Sequence, residues 1–257
     1  NDWIEKIIQR IRSFQIPEYE IIICGKYYNR GDNDVKYIHF EEKDDLGWIT
    51  RKKNLICEAA QYENIYVTND RILPNEDWFE GMKKYGNYFE SLSCVQTLEN
   101  GQRVGDWMTF GAECKKSNNT PFKLGLLNYR DWDEWSYGVG SLNILKKDVW
   151  QKSKWDENLF WKDSIEDAVF CHQLTKKGYV TRFNPYASAS SFSWRHGVLP
   201  LYRFNSQRLG RRTGVPVRRF GWWCLRTAGR LGIQRQFSNF GARLLKLIRI
   251  HDFFIKH

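Results

Sequence analysis

Apolar residues Trp3, Ile4, Ile7, Ile8, Ile11 and Phe14 recur at three- and four-residue spacing. That spacing predicts an amphipathic helix over 2–14, with Asp2 as N-cap, Glu5 in the capping-box position and Pro17 as terminator. Residues 19–24, apolar but for Glu20 and not alternating, read as a strand buried on both faces, and 35–40 read as a second strand. A helix over 51–62 follows, with Leu55, Ile56, Ala59 and Ala60 inward, then a strand at 64–67. Pro74 and Asn75 precede a helix over 77–85, and 91–97 reads as a strand. Strands alternating with helices predict an α/β fold with a mainly parallel sheet flanked by helices.

Beyond residue 98 the pattern weakens. Residues 98–138 are polar and aromatic and read as long loops. A strand is expected over 141–144, then a helix over 164–177 with Ser164 as N-cap and Gly178 closing it, then a strand over 179–183. From about residue 199 the composition turns to Arg, Gly and aromatics. We therefore divide the chain into a catalytic domain over 1–198 and a basic, helical extension over 199–257. A doubly wound domain ordinarily opens with a strand, whereas this sequence opens with a helix. The expectation is that a first strand precedes Asn1.

Composition adds two constraints. The 257 residues suffice for one large core with an appendage, and the 12 Trp exceed what an ordinary core needs. Flat rings also stack on sugar faces. The six cysteines (Cys24, Cys57, Cys94, Cys114, Cys171 and Cys224) form no C-x-x-C pair and no zinc spacing, and read as reduced, buried thiols of a cytoplasmic protein. No apolar run approaches the roughly 20 residues a membrane span needs. Charge is unevenly placed: 195–257 carry fourteen Lys or Arg against Asp252 alone, which is +13 of a total of +10 and leaves −3 for the remainder.

Three segments bear candidate chemistry. In Thr68-Asn69-Asp70 an apolar strand ends in polar residues. Ligands bind beyond the carboxyl ends of strands in open α/β sheets, and a carboxylate there can hold a divalent cation against a diphosphate. The plain alternative is a turn, which Asn and Asp both favour. The triplets Asp32-Asn33-Asp34 and Asp131-Trp132-Asp133 follow no apolar strand and read as solvated loop charges. In Glu166-Asp167, two acids open a helix, which the helix dipole alone would favour. At 100° per residue Asp167 shares a stripe with Cys171 and Leu174, so it points inward, while Glu166 lines up with Gln173 and Lys177 on the polar side. An inward carboxylate at a sheet mouth is a general-base candidate. In Arg51-Lys52-Lys53-Asn54, three cations at a helix start oppose the dipole, so neutralising a phosphate competes with plain surface exposure.

Taken in order, Lys53-Asn54, Thr68-Asn69-Asp70, Gly138-Val139-Gly140-Ser141, Trp155-Asp156-Glu157 and Glu166-Asp167 resemble glycosyltransferase family 2, over about residues 1–196. The resemblance implies a GT-A, nucleotide-diphospho-sugar transferase fold and an inverting transfer from a nucleotide-sugar donor to a glycan or lipid-linked acceptor, as in surface polysaccharide synthesis. It implies Asp167, beside Glu166, as catalytic base. It also implies Asp70 as ligand of a divalent Mn or Mg ion, with His196 as a further ligand. Lys53, Asn54, Thr68 and Asn69 would lie at the donor, and Gly140, Ser141 and Trp161 at the acceptor or sugar. Thr68 stands where the family's first metal-binding acid usually lies, and that departure weakens the metal site.

In the extension, Arg243, Lys246 and Arg249 lie among Leu244, Leu245, Leu247, Ile248, Phe253 and Phe254. A basic amphipathic helix with aromatics fits an anionic membrane surface, where a lipid-linked acceptor would be found. The catalytic domain or a second copy of the chain would cover the same face equally. Nucleic acid would use similar charge, but no recognition motif is present. Two rival functions stand beside the transferase: a sugar-phosphate nucleotidyltransferase on a related sheet, and a non-enzymatic membrane- or nucleic-acid-binding module driven by the extension.

Overall fold

The computed structural model describes residues 2–26, 31–42, 47–109, 115–116, 123–129, 135–163 and 165–193. The extension, its boundary, Asp131-Trp132-Asp133 and His196 lie outside the described residues.

Helix α1 (Asp2–Ser13) leads into strands β1 (Ile21–Gly25) and β2 (Val35–His39), which pair in parallel as a small sheet of their own. Ile8, Ile21 and Val35 bury the seam between helix and strands. The Asp32-Asn33-Asp34 triplet is not merely solvated. Arg12 donates to both carboxylate oxygens of Asp34, from Nε at 2.9 Å, and lies 3.4 Å from Asp32. The hydrogen bonds from Arg12 hold the Asp34 carboxyl below its ordinary value.

Helix α2 (Ile49–Ala59) precedes β3 (Asn64–Thr68), β4 (Ile72–Pro74), α3 (Trp78–Tyr85) and β5 (Ser91–Leu98). Residues 98–138, expected as loops, contain short strands instead: β6 (Trp107–Thr109), β7 (Lys115–Lys116), β8 (Lys123–Leu126) and β9 (Ser136–Gly138), ordered β7-β8-β6-β9 in an antiparallel sheet. Then come β10 (Leu142–Lys146), α4 (Lys147–Lys152), a short 3-10 turn (Trp161–Asp163), α5 (Glu166–Lys176) and β11 (Thr181–Ser191).

The main sheet has the order β3-β10-β5-β11-β4. It is mixed rather than mainly parallel: β11 runs parallel to β5, but β10 is antiparallel to both β3 and β5, and β4 antiparallel to β11. The reason lies in the small sheet. The chain leaves β5 at its carboxyl end, builds β6 to β9 there, and re-enters from the same end. Thus Leu142 at the start of β10 pairs with Thr68 at the end of β3, and β10 must run backwards.

Alternation then sorts the side chains into two layers. Ile65, Val67 and Leu145 face α2, α4 and α5, with Trp155 stacked on Phe170 at 4.1 Å. Tyr66, Leu142 and Ile144 face Trp78 and Tyr85 of α3. Helix α2 buries Thr50, Lys53, Asn54, Cys57 and the following Ala60, rather than Leu55 and Ile56, which are half-buried. Cys57, Cys94 and Cys171 are buried free thiols.

Strand β11 carries a bulge between Asn184 and Ser188, at Pro185, where the missing N–H would otherwise interrupt the ladder. Gly81 of α3 lies against this bulge. A Cβ there would sit 2.2 Å from the Tyr186 carbonyl oxygen and 2.6 Å from the Ala187 nitrogen, both backbone atoms that cannot rotate away. Gly81→Ala would gain roughly 1 kcal/mol of helix propensity, against roughly 1–3 kcal/mol for overpacking. A net loss of up to about 2 kcal/mol is expected, read as a lowered urea midpoint with an unchanged slope.

Candidate active site

The site is built where α2, α5 and the β9–β10 connection meet. Ser164, the expected N-cap, lies outside the described residues. Helix α5 begins at Glu166, and its N-cap Ile165 makes no side-chain cap hydrogen bond. Asp167 supplies an acceptor from inside the first turn: its Oδ1 accepts from the Ala168 N–H at 2.7 Å. Its Oδ2 accepts from the Gly140 N–H, also at 2.7 Å. The predicted inward orientation of Asp167 therefore holds. Glu166, expected on the polar face, is buried as well, 8% exposed against 9% for Asp167.

Lys53 explains how two adjacent acids are both covered. It is 4% exposed, and its Nζ lies 3.9 Å from Glu166 Oε1 and 5.4 Å from the centre of the Trp155 ring. Gly140 is the meeting point. A Cβ built on it would stand 2.9 Å from Asp167 Cβ, 2.9 Å from Lys53 Nζ and 3.0 Å from Glu166 Oε1. No larger residue leaves that space open. Burial pushes the Asp167 carboxyl above its ordinary range, while the Gly140 N–H, the Lys53 ammonium and the Ala168 N–H pull it back.

The three cations that seemed misplaced at the start of α2 each have an acidic partner. Arg51 bonds Glu157 at 3.0 Å, Lys52 pairs with Glu42, and Lys53 reaches Glu166. Asn54, expected at the donor, is fully engaged by protein. It donates to the Trp155 carbonyl and Glu157 at 2.9 Å, and accepts from Trp150 Nε1 and the Trp155 N–H at 3.1 Å. Its work is to clamp the 150–157 segment. Burial would raise the Glu157 carboxyl, but the hydrogen bonds from Asn54 and Arg51 outweigh it and hold that group low.

The carboxyl end of β3 reaches the same place through Ser141. The Ser141 carbonyl accepts from Thr68 Oγ1 at 3.1 Å and from the Asn69 N–H at 3.2 Å. Asn69 Oδ1 accepts from the Arg71 N–H at 3.0 Å, the turn that its residue type favours. Asp70 then stands exposed at the turn. Asp70 and Asp167 are thus joined by one short path: the Asn69 N–H to Ser141, Ser141 to Gly140, and the Gly140 N–H to Asp167. Trp161 is 40% exposed at the start of the 3-10 turn, where its N–H bonds the Gly47 carbonyl at 2.8 Å.

Among the described residues no group of three His, Cys, Asp or Glu side chains could hold a metal ion. Asp70 offers one carboxylate, while Thr68 and Asn69 spend their side-chain oxygens on backbone partners.

Two residues that the sequence reading missed hold this connection from behind. Gln96 of β5 accepts from Ser141 Oγ at 2.8 Å. Asp106, fully buried, accepts from the Gln96 N–H, the Trp107 N–H, Tyr129 OH and two nitrogens of Arg103, between 2.6 and 3.2 Å. Its own carbonyl accepts from Ser93 Oγ at 3.1 Å and the Val139 N–H at 3.4 Å, one residue before Gly140. The only sequence trace of this hub is an Arg and an Asp three residues apart in a polar stretch.

Comparisons with known proteins bear on the fold. No protein-family model matches the chain, and no curated protein is similar to it. Among solved structures, TarS 1-349 from S. aureus, in complex with UDP-GlcNAc, is similar with a TM-score of 0.52 and 12% identity, covering 92% of this chain and 71% of that one. The mannosyltransferase PcManGT from Pyrobaculum calidifontis, in complex with GDP-Man and Mn2+, scores 0.49 at 12% identity over 96% and 72%. An inositol-1-phosphate CTP transferase from T. maritima scores 0.46 at 11% identity over 74% and 75%. At such identities the likeness shows the fold alone, and of these three scores that of TarS exceeds 0.5. The chain has a mixed α/β fold similar to that of TarS.

Proposed function

We propose that the chain is an inverting, nucleotide-sugar-dependent glycosyltransferase whose acceptor is a glycan or lipid-linked saccharide. The observation that carries this reading is the Asp167–Gly140 hydrogen bond, which seats a buried carboxylate one residue from the carbonyl that holds the end of β3. Asp167 takes the proton of an acceptor hydroxyl. That oxygen bonds the anomeric carbon from one side as the bond to the nucleoside diphosphate breaks on the other, and the leaving oxygen keeps the electron pair. Each Asp167 oxygen accepts one N–H, and a carboxylate has about four lone-pair positions, so capacity for an incoming hydroxyl remains.

Asp70 would hold a divalent Mn or Mg ion together with the diphosphate, a donor set of one carboxylate, phosphate oxygens and water that such ions accept. Bound there, the ion neutralises charge on the leaving diphosphate. Gly140 and Ser141 line the sugar side, and Trp161 offers its ring to an acceptor sugar. The basic extension favours an anionic membrane surface on the cytoplasmic side. Among the described residues no helix is long and apolar enough to cross a membrane.

The UDP-GlcNAc held by TarS makes uridine diphosphate sugars the first donors to try. Incubated with UDP-GlcNAc, the protein is expected to release UDP and no pyrophosphate. Incubated with UTP and GlcNAc 1-phosphate, it is expected to be silent. Pyrophosphate release in the second reaction would instead establish the nucleotidyltransferase alternative.

A further inference from the structure

Lys53 sits where a phosphate-binding cation would be expected, yet it is buried beside acidic groups. We propose that Lys53 is a positioning residue for the acid pair, an ammonium that holds Asp167 ionised and Glu166 folded over Gly140, and does not grip the donor's phosphates. The proposal rests on the glycosyltransferase reading for its consequence, though not for its test.

Three observations carry it. The Lys53 side chain is 5% exposed, and its Nζ has no hydrogen-bond partner. That Nζ stands 2.9 Å from the point where a Gly140 side chain would begin, the same point that Asp167 Cβ approaches to 2.9 Å and Glu166 Oε1 to 3.0 Å. A third neighbour is the Trp155 face, which favours a cation without neutralising it. Removing Lys53 would take a buried positive charge away from two buried carboxylates, a change that low-dielectric surroundings strongly disfavour.

Among the described residues two buried thiols flank the cluster. Cys171 on α5 faces Asp167, and Cys57 on α2 faces Lys53 with Lys147 of α4 beyond it. Burial raises the Cys171 thiol to about 11 and the Cys57 thiol to about 12, so both remain neutral through the working range. The sign follows. Lys53 opposes the upward push of burial on Asp167, so its removal makes that carboxyl harder to ionise, and the acid limb of transfer moves to higher pH.

The test is a carbon-13 carboxylate NMR titration of Asp167 in the full chain and in Lys53→Met, with thermal shifts by UDP and GDP measured on both. The Asp167 midpoint is expected to rise by about one pH unit or more in Lys53→Met. Lys53→Arg, which keeps the charge, should leave it near the original value. Lys53→Met/Glu166→Gln, which removes one charge of each sign and guards against misfolding of the single variant, should bring it back. Stabilisation by nucleotide should survive in all three. An unmoved midpoint, or loss of nucleotide stabilisation in Lys53→Met, would overturn the proposal. If the unsubstituted protein itself gains nothing from either nucleotide, the transferase reading is what suffers, and the titration still judges Lys53.

Discussion

Asp167→Asn is expected to lower transfer by roughly 10²- to 10⁴-fold, the usual contribution of a positioned general base, while leaving nucleotide diphosphate binding intact. The loss has two parts. The amide cannot take the acceptor's proton. It also has one oxygen where the carboxylate has two, so its NH2 must face either the Gly140 N–H or the Ala168 N–H, each now 2.7 Å from an acceptor. A lost buried hydrogen bond costs about 1–3 kcal/mol, so some stability goes with the activity. Retained binding of UDP at full occupancy separates the catalytic loss from unfolding.

The second large effect is structural and lies behind the site. Asp106→Ala removes the acceptor of two backbone N–H groups, the Tyr129 hydroxyl and two nitrogens of Arg103. Breaking a buried ion pair from one side costs about 3–5 kcal/mol. Burial already raises the Asp106 carboxyl, so desolvation of the ion offsets part of what it contributes, and the lower end, about 3 kcal/mol, is expected. At 2–4 °C per kcal/mol for a chain of this size, the melting temperature should fall by about 6–12 °C. The Arg103 guanidinium, 4.0 Å above the Tyr129 ring, keeps that contact, and Tyr129 keeps its stack on Phe183 at 4.4 Å. The damage should therefore concentrate at Gln96 and Val139, next to Ser141 and Gly140.

What the sequence disclosed, and what it hid, divides along a physical line. Local patterns were legible. The Ile and Phe spacing of α1, the apolar run of β3 ending in Thr68, and the acids opening α5 all follow from periodicity and helix-end chemistry. The inward turn of Asp167 followed from the 100° step alone. Strand direction was not legible, because an apolar run such as β10 reads the same both ways; the small sheet at the end of β5 decides it. The burial of Lys53 was also hidden, since a lysine at a helix start ordinarily reads as surface, and only its meeting with Glu166, more than 100 residues away, turns it inward. Gln96 and Asp106 lay in stretches with no motif, and their importance comes from partners that the fold alone brings together. Asn54, expected at the donor, has its amide engaged by Trp155 and Glu157, distant partners that no local pattern announces.

The central claim is that the exposed Asp70 turn and the buried Asp167 belong to one nucleotide-sugar site. Thermal melting with nucleoside diphosphates, with and without Mn²⁺, tests it on the unsubstituted protein, Asp70→Ala and Asp167→Asn. A ligand at a hundred times its Kd adds about 2.7 kcal/mol, or roughly 5–11 °C here. The account predicts a metal-dependent rise of that order with one nucleotide, lost in Asp70→Ala and kept in Asp167→Asn. Stabilisation indifferent to Asp70, or none with any nucleotide, would contradict it.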